Sequence, residues 1–261
     1  MREQAYTTKL QAGLGLIPET EKLIDLWQPG MESRALLDSA LSSGEFPTMT
    51  ARRLRNIVTE GFAPRYLVEN AEPARALKSL NGALSEVDRK QLFFLFTCRA
   101  NPILADFVRE LYWPQYSSGA TSVSKRDALS FVEDAIAEGK TTTPWSESTK
   151  VRVSSYLLGA CADFGLLGAM EASARKIESF RPTRFVTTFL AHDLHFRGLS
   201  DSAVLHHQDW RLFGLGPEDA LAELKQIALR GEVIVQSAAG LVQISWKHKN
   251  IEELAHAVAH S

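Results

Sequence analysis

The chain has 261 residues, 45% of them apolar and 23% charged, with a formal net charge of −2. This is the composition of a globular chain with room for one large domain or two or three small ones. A slightly acidic protein has no global field to draw in a polyanion, so nucleic-acid binding would have to come from local patches.

Helical periodicity dominates from the start. Residues 19–27 (ETEKLIDLW) predict a short helix stopped by Pro29-Gly30, and 31–43 a second one closed by Gly44. A third begins at Thr50 and runs to about 66. Three short helices on tight turns are compatible with a helix-turn-helix-like segment. Residues 85–112 predict a buried helical pair, broken at Asn101-Pro102, in the core of a bundle. The stretch SSGATS, 117–122, reads as a linker, which divides the chain into an N-terminal lobe, 1–116, and a C-terminal lobe, 123–261.

Beyond it, 124–139 predicts an amphipathic helix with Ser124 and Asp127 spaced as a capping box. Residues 148–167 predict a helix ending at Gly165, followed by a hairpin around 166–179. The last third reads helix (183–198), helix (from Ser200), helix (216–231), then two β-branched runs, Val233–Gln236 and Leu241–Trp246, as a hairpin. Helix, helix, helix, hairpin is the winged-helix order, and 124–180 carries a poorer version of it. The fold class expected is mainly α: two helical lobes with helix-turn-helix or winged-helix-like parts and one or two small β-hairpins.

The densest basic cluster is Arg52, Arg53 and Arg55 in TARRLRN. It lies at the start of a helix, where the backbone dipole already places partial positive charge. With Leu54 inward, Ile57, Val58, Gly61 and Phe62 follow it at helical spacing. Arg52, Arg53, Arg55, Asn56 and Thr59 then face outward, and these are groups that contact phosphates and base edges. A solvated basic face with no partner explains the same pattern equally well. Further candidates are Lys150 and Arg152 in the first turns of the 148–164 helix. The basic stretch with Arg175, Lys176, Arg181 and Arg184 is another, as is a basic wing tip formed by Lys247, His248 and Lys249. Solvated strand and helix ends compete with each of these readings.

Other chemistries find little support. His192, His195, His206 and His207, with Asp193 and Asp209, could be imagined as a zinc site, but no cysteine lies near and no HExxH spacing exists. The chain has no GxxxxGK[ST], no GxGxxG between a strand and a helix, and no GxSxG. No enzyme activity, metal or cofactor is therefore expected. The two cysteines, Cys98 and Cys161, sit in apolar helical stretches and read as buried free thiols. The N-terminal MREQAYTTKLQ lacks an apolar h-region, and no apolar run approaches the roughly 18–20 residues that span a bilayer. A cytoplasmic protein with no membrane partner is expected.

Four blocks, YTTKLQAGLGLIPETEKLIDLW, LFFLFTCRANPILADFVREL, DWRLFGLGPEDALAELKQIA and GEVIVQSAAGLVQISWKHKNIEELAHAV, resemble the BrxA family, small components of bacterial BREX (bacteriophage exclusion) defence systems. The resemblance runs from about Tyr6 to about Val258 and rests on apolar residues, glycines and a few acids. It implies a two-lobed helical protein that binds double-stranded DNA in phage restriction and host-DNA marking, alongside other BREX components, and it carries over no catalytic residue. The expected function is a monomeric, non-enzymatic DNA-binding subunit. The alternatives are a protein-interaction scaffold of the defence complex and, from a likeness of the central helices to the NusB antitermination fold, an RNA-binding module.

Overall fold

The computed structural model describes residues 5–8, 15–80, 82–238 and 241–259. The first three helices are α1 (Ile17–Leu26), α2 (Ser33–Ser42) and α3 (Ala51–Asn56). Pro18 stands in the first turn of α1, where a missing N–H costs nothing. α1 buries Thr20, Leu23 and Ile24, and α2 buries Leu36, Leu37 and Ala40. The Thr50 hydroxyl opens α3 by accepting from the Arg53 amide at 3.2 Å. The helix does not stop at Asn56. It widens into a π-turn, Ile57–Phe62, and resumes as α4 (Ala63–Tyr66). Leu54, Ile57, Val58, Gly61 and Phe62 are all buried, as the spacing predicts.

Next comes α5 (Glu72–Ser79), which the sequence does not announce. Its buried residues are Pro73, Ala74, Ala76 and Leu77, too small a set to stand out as an apolar stripe. In α6 (Glu86–Ala100), every residue from Gln91 to Cys98 is buried, the mark of a helix surrounded by protein. α7 (Pro102–Asp106) follows the Asn101-Pro102 break and runs through a second π-turn, Phe107–Tyr112, into α8 (Trp113–Ser117).

Then come β1 (Ser122–Ser124), α9 (Lys125–Ala137), α10 (Glu147–Asp163), β2 (Leu167–Glu171) and β3 (Ala174–Ile177). The expected capping box is present: Ser124 Oγ accepts from the Asp127 amide, and the Asp127 carboxylate accepts from the Ser124 amide at 2.8 Å. Gly165, at φ +87°, turns the chain off α10 in a conformation that favours glycine. The three strands form an antiparallel sheet of order β1-β3-β2, with Val123 opposite Arg175. The expected hairpin is therefore joined by a third strand that the sequence hides.

The last elements are α11 (Arg184–Phe196), α12 (Asp201–Leu205), a 3-10 turn (Gln208–Phe213), α13 (Pro217–Ala228), β4 (Val233–Ala238), β5 (Leu241–Trp246) and α14 (Ile251–Ala259). β4 and β5 pair in unbroken register from Val233–Trp246 to Ala238–Leu241. The fold is mainly α with small β-hairpins, as expected.

The chain forms two compact units, one of residues 1–75 with 93–180 and one of 76–92 with 181–261. The stretch 117–122, expected to separate two lobes, lies inside the first unit, where Ser122 pairs with Lys176. In the first unit, Phe94 packs its ring against Phe164 at 5.6 Å and Phe180 at 5.3 Å, and Tyr66 meets Phe93 at 5.9 Å. In the second unit, the start of α6 grips the chain entering α11. Gln91 donates to the Arg181 carbonyl at 2.7 Å and accepts from the Thr183 amide at 2.9 Å. The Thr183 hydroxyl donates to Asp88 while accepting from the Val186 amide. Cys98 and Cys161 are buried free thiols. Among the described residues no helix is long and apolar enough to cross a membrane.

Candidate nucleic-acid interface

The α3 segment presents Arg52, Arg53, Arg55, Asn56 and Thr59 to solvent, because Leu54, Ile57 and Val58 turn the opposite side into the three-helix packing. Among the described residues no carboxylate pairs with Arg52 or Arg55. The Thr59 hydroxyl donates to the Arg55 carbonyl at 2.9 Å, at the point where the helix widens. Three guanidinium groups within four residues repel one another, and the helix end on which they sit adds to the positive potential. A bound polyanion would relieve that repulsion.

The remaining basic candidates separate into free and occupied groups. Lys150 Nζ lies 2.6 Å from Glu147 and 4.0 Å from Glu133 of α9. The hydrogen bond it donates to Glu147 raises the pKa of this ammonium, so its charge is fixed and already matched. Arg152 is exposed and has no carboxylate partner among the described residues. With Ser148, Val151 and Ser155 it forms one outward stripe of α10 at helical spacing.

Arg175 is half-buried, and its Nη1 donates to the Gly168 carbonyl at 2.8 Å, so the guanidinium is a strut between β3 and β2. Lys176 is exposed and stands 3.4 Å from Glu178. Arg181 and Arg184 are exposed around the grip made by Gln91. The single basic stretch of the sequence is therefore divided, with Arg175 and Lys176 in the first unit and Arg181 and Arg184 in the second.

The basic wing tip is corrected. Trp246 pairs with Val233 and Leu241 with Ala238, so Lys247, His248 and Lys249 lie at the open end of the hairpin, away from the end where β4 leads into β5. His248 is buried and donates through Nε2 to Glu232 at 3.0 Å, and Lys247 lies 3.9 Å from the same carboxylate. Lys249 is exposed, and its backbone amide donates to Glu253 at the start of α14. A run of basic letters after a strand looks like a tip only until the register is known.

The histidines turn to separate partners. His192 Nδ1 meets the Thr188 carbonyl at 2.9 Å, His195 stacks on Trp246 at 4.4 Å, His206 meets the Ser202 carbonyl, and His207 accepts from the Asp209 amide. Among the described residues no group of three or more His, Cys, Asp or Glu is placed to hold a metal.

A family model for BrxA matches residues 4–193. The chain belongs to the BrxA family. It is thus a BREX-associated defence protein. A comparison with curated proteins gave no match. Among solved structures, an uncharacterized protein from Magnetospirillum magneticum is similar in fold, with a TM-score of 0.62 at 13% identity, covering 80% of this chain and 98% of that one.

In this BrxA-family chain, sequence reasoning passed over Lys125 and Arg126. Both are exposed at the start of α9, directly after the capping residue Ser124, and the Lys125 amide donates to the Ser173 carbonyl in the β2–β3 turn. The letters SKRD carry the signal, inside a pattern that equally spells a capped helix start. Among the described residues, the exposed cations of the first unit without a carboxylate partner are thus Arg34 on α2, Arg52 and Arg55 on α3, Arg75 on α5, Lys125 on α9 and Arg152 on α10, while Arg126 acts on the neighbouring Asp127.

Proposed function

We propose that this protein is a non-enzymatic, double-stranded DNA-binding component of a BREX phage-defence system, working as a monomer in the cytoplasm with other BREX components. The observation that carries the reading is the outward face of α3. Among the described residues Arg52 and Arg55 have no carboxylate partner there, beside Asn56 and Thr59 on the solvent side of the third of three packed helices. Arginines neutralise phosphates or fork onto guanine, and asparagine pairs with adenine in the major groove. The order α7–α8, α9, α10 and the β2–β3 hairpin is that of a winged helix. It supports a second contact through the Arg152 stripe.

The test is a duplex titration at several salt concentrations. Replacing Arg52 and Arg55 by Ala together weakens binding, and the slope of log K against log salt becomes shallower by about two units, roughly 0.9 per lost phosphate contact. An unchanged slope removes α3 from the interface. Preference for single-stranded RNA over duplex in the same titration would favour the RNA-binding reading.

A further inference from the structure

Among the described residues, the outer edge of β4 pairs with no third strand. We propose that it takes up an uncharged, extended segment of another polypeptide as a third strand. This goes beyond DNA binding and stands on a different part of the chain, past residue 193, where the family match ends.

Backbone direction follows from one contact. The Ile244 amide donates to Asp201 Oδ2 at 2.8 Å, so it points away from β4. Val235, opposite Ile244, is therefore in a non-hydrogen-bonded pair, and so is Ser237 opposite Val242, because the two pair types alternate along an antiparallel ladder. On β4 the amides and carbonyls of Val235 and Ser237 thus point outward, away from β5. Among the described residues they have no hydrogen-bond partner. The two edges of the hairpin differ. β5 is closed by Asp201, which also accepts from Trp246 Nε1 at 3.2 Å. β4 is open.

Proteins guard such edges with charges, prolines or bulges. None is present here. The segment 233–246, VIVQSAAGLVQISW, contains no Asp, Glu, Lys, Arg, His or Pro, and its register is unbroken. Ile234 is 60% exposed and Leu241 79% exposed, both on the face away from the buried Val233 and Ile244. Charge selects the occupant. Without a cation along the edge, no phosphate is neutralised there, which disfavours a nucleic acid. Without any charge, the complement that leaves no ion desolvated is a neutral strand, held by main-chain hydrogen bonds and by side-chain contact with Ile234 of β4.

The probe is a blocked peptide of alternating valine and threonine, added at about millimolar concentration to the labelled full-length chain, with amide exchange read residue by residue. The expected result is at least tenfold slower exchange at Val235 and Ser237, with Ile234 and Gln236 unchanged because their amides already face β5. A peptide with lysine at alternate positions gives no slowing. Ile234→Lys weakens the effect while leaving both outward amides in place. Val235→Pro removes one outward amide without deleting a bond to β5. Exchange at Val235 and Ser237 that ignores the peptide overturns the proposal. So does slowing produced by a short DNA duplex, or slowing that appears with rising protein concentration alone, which would make the occupant a nucleic acid or a second copy. Loss of DNA binding in the α3 variants would leave this result untouched.

Discussion

Glu147 holds the Lys150 ammonium at 2.6 Å, one turn along α10, and Glu133 of α9 stands 4.0 Å from the same nitrogen. Arg152, two residues on, has no such partner. The two look alike in the sequence and differ in what they can offer a phosphate. A cation already matched by two carboxylates releases little on meeting a third anion, whereas an unmatched one releases counterions in full. Lys150→Ala is therefore expected to leave duplex affinity and its salt slope nearly unchanged. Arg152→Ala should make the slope shallower by about one unit. Salt-dependent titrations of both variants decide it, and equal effects would remove the distinction.

His192 makes stability depend on pH. Its Nδ1 donates to the Thr188 carbonyl at 2.9 Å, which leaves Nε2 as a buried lone pair facing Trp246 at 5.1 Å and His248 at 5.4 Å between ring centres. Burial pushes its pKa down from 6.5 to about 4, and burial also lowers that of His195. The unfolded chain therefore binds protons that the folded chain refuses. Stability from this group is complete above about pH 6.5 and is lost as the pH falls toward about 4, by roughly 3 kcal/mol in all. Denaturation midpoints measured from pH 7 to pH 4 should fall accordingly. His192→Phe, which keeps an aromatic ring beside Phe196 and Trp246, should flatten much of that fall. A variant with an unaltered pH profile would assign the dependence to other groups.

What could be read in the sequence is what depends on near neighbours. Leu54, Val58 and Phe62 are spaced by four, so the buried side of α3 and the outward arginines follow from counting residues. The Ser124–Asp127 capping box and the Pro217 and Gly231 ends of α13 are equally local. What stayed hidden depends on distant partners. β1 is three residues, SVS, and becomes a strand because β3 arrives opposite it some fifty residues later. Lys150 is occupied partly through Glu133, on another helix. The 247–249 cluster sits at the open end of the hairpin for a reason that only the strand register supplies. Each π-turn is followed two residues on by a proline, Pro64 and Pro114, whose missing N–H and crowded i−4 carbonyl suit a wider turn.

Thr183 performs two tasks in one hydroxyl. It accepts from the Val186 amide to open α11 and donates to Asp88, while Gln91 clasps the backbone on either side. Thr183→Val keeps the shape and removes both hydrogen bonds. The expected cost is about 1–2 kcal/mol, the usual worth of a helix cap plus part of a hydrogen bond to a charged group. Thr183→Ser should recover most of it. Urea midpoints for the two variants test this, and equal losses would shift the cause from the hydroxyl to the methyl packing.

Asp201 stands where a third strand would pair with β5. Its Oδ2 takes the Ile244 amide at 2.8 Å and its Oδ1 the Trp246 indole N–H at 3.2 Å. Removing the carboxylate frees two donors, one of them on a buried residue, at a cost of about 1–3 kcal/mol. Asp201→Ala is expected to lower the unfolding midpoint and to speed exchange of the Ile244 amide by tenfold or more. Asp201→Asn, which retains one acceptor oxygen, should fall between. The contrast within one hairpin is the informative part. The Ile244 amide is slow in the unaltered chain and becomes fast, whereas the Val235 amide, with no partner to lose, is fast in both. If Val235 were slow from the outset, the outer edge of β4 would already be covered. If Ile244 kept its protection without Asp201, the strand ladder alone would be holding β5 in place.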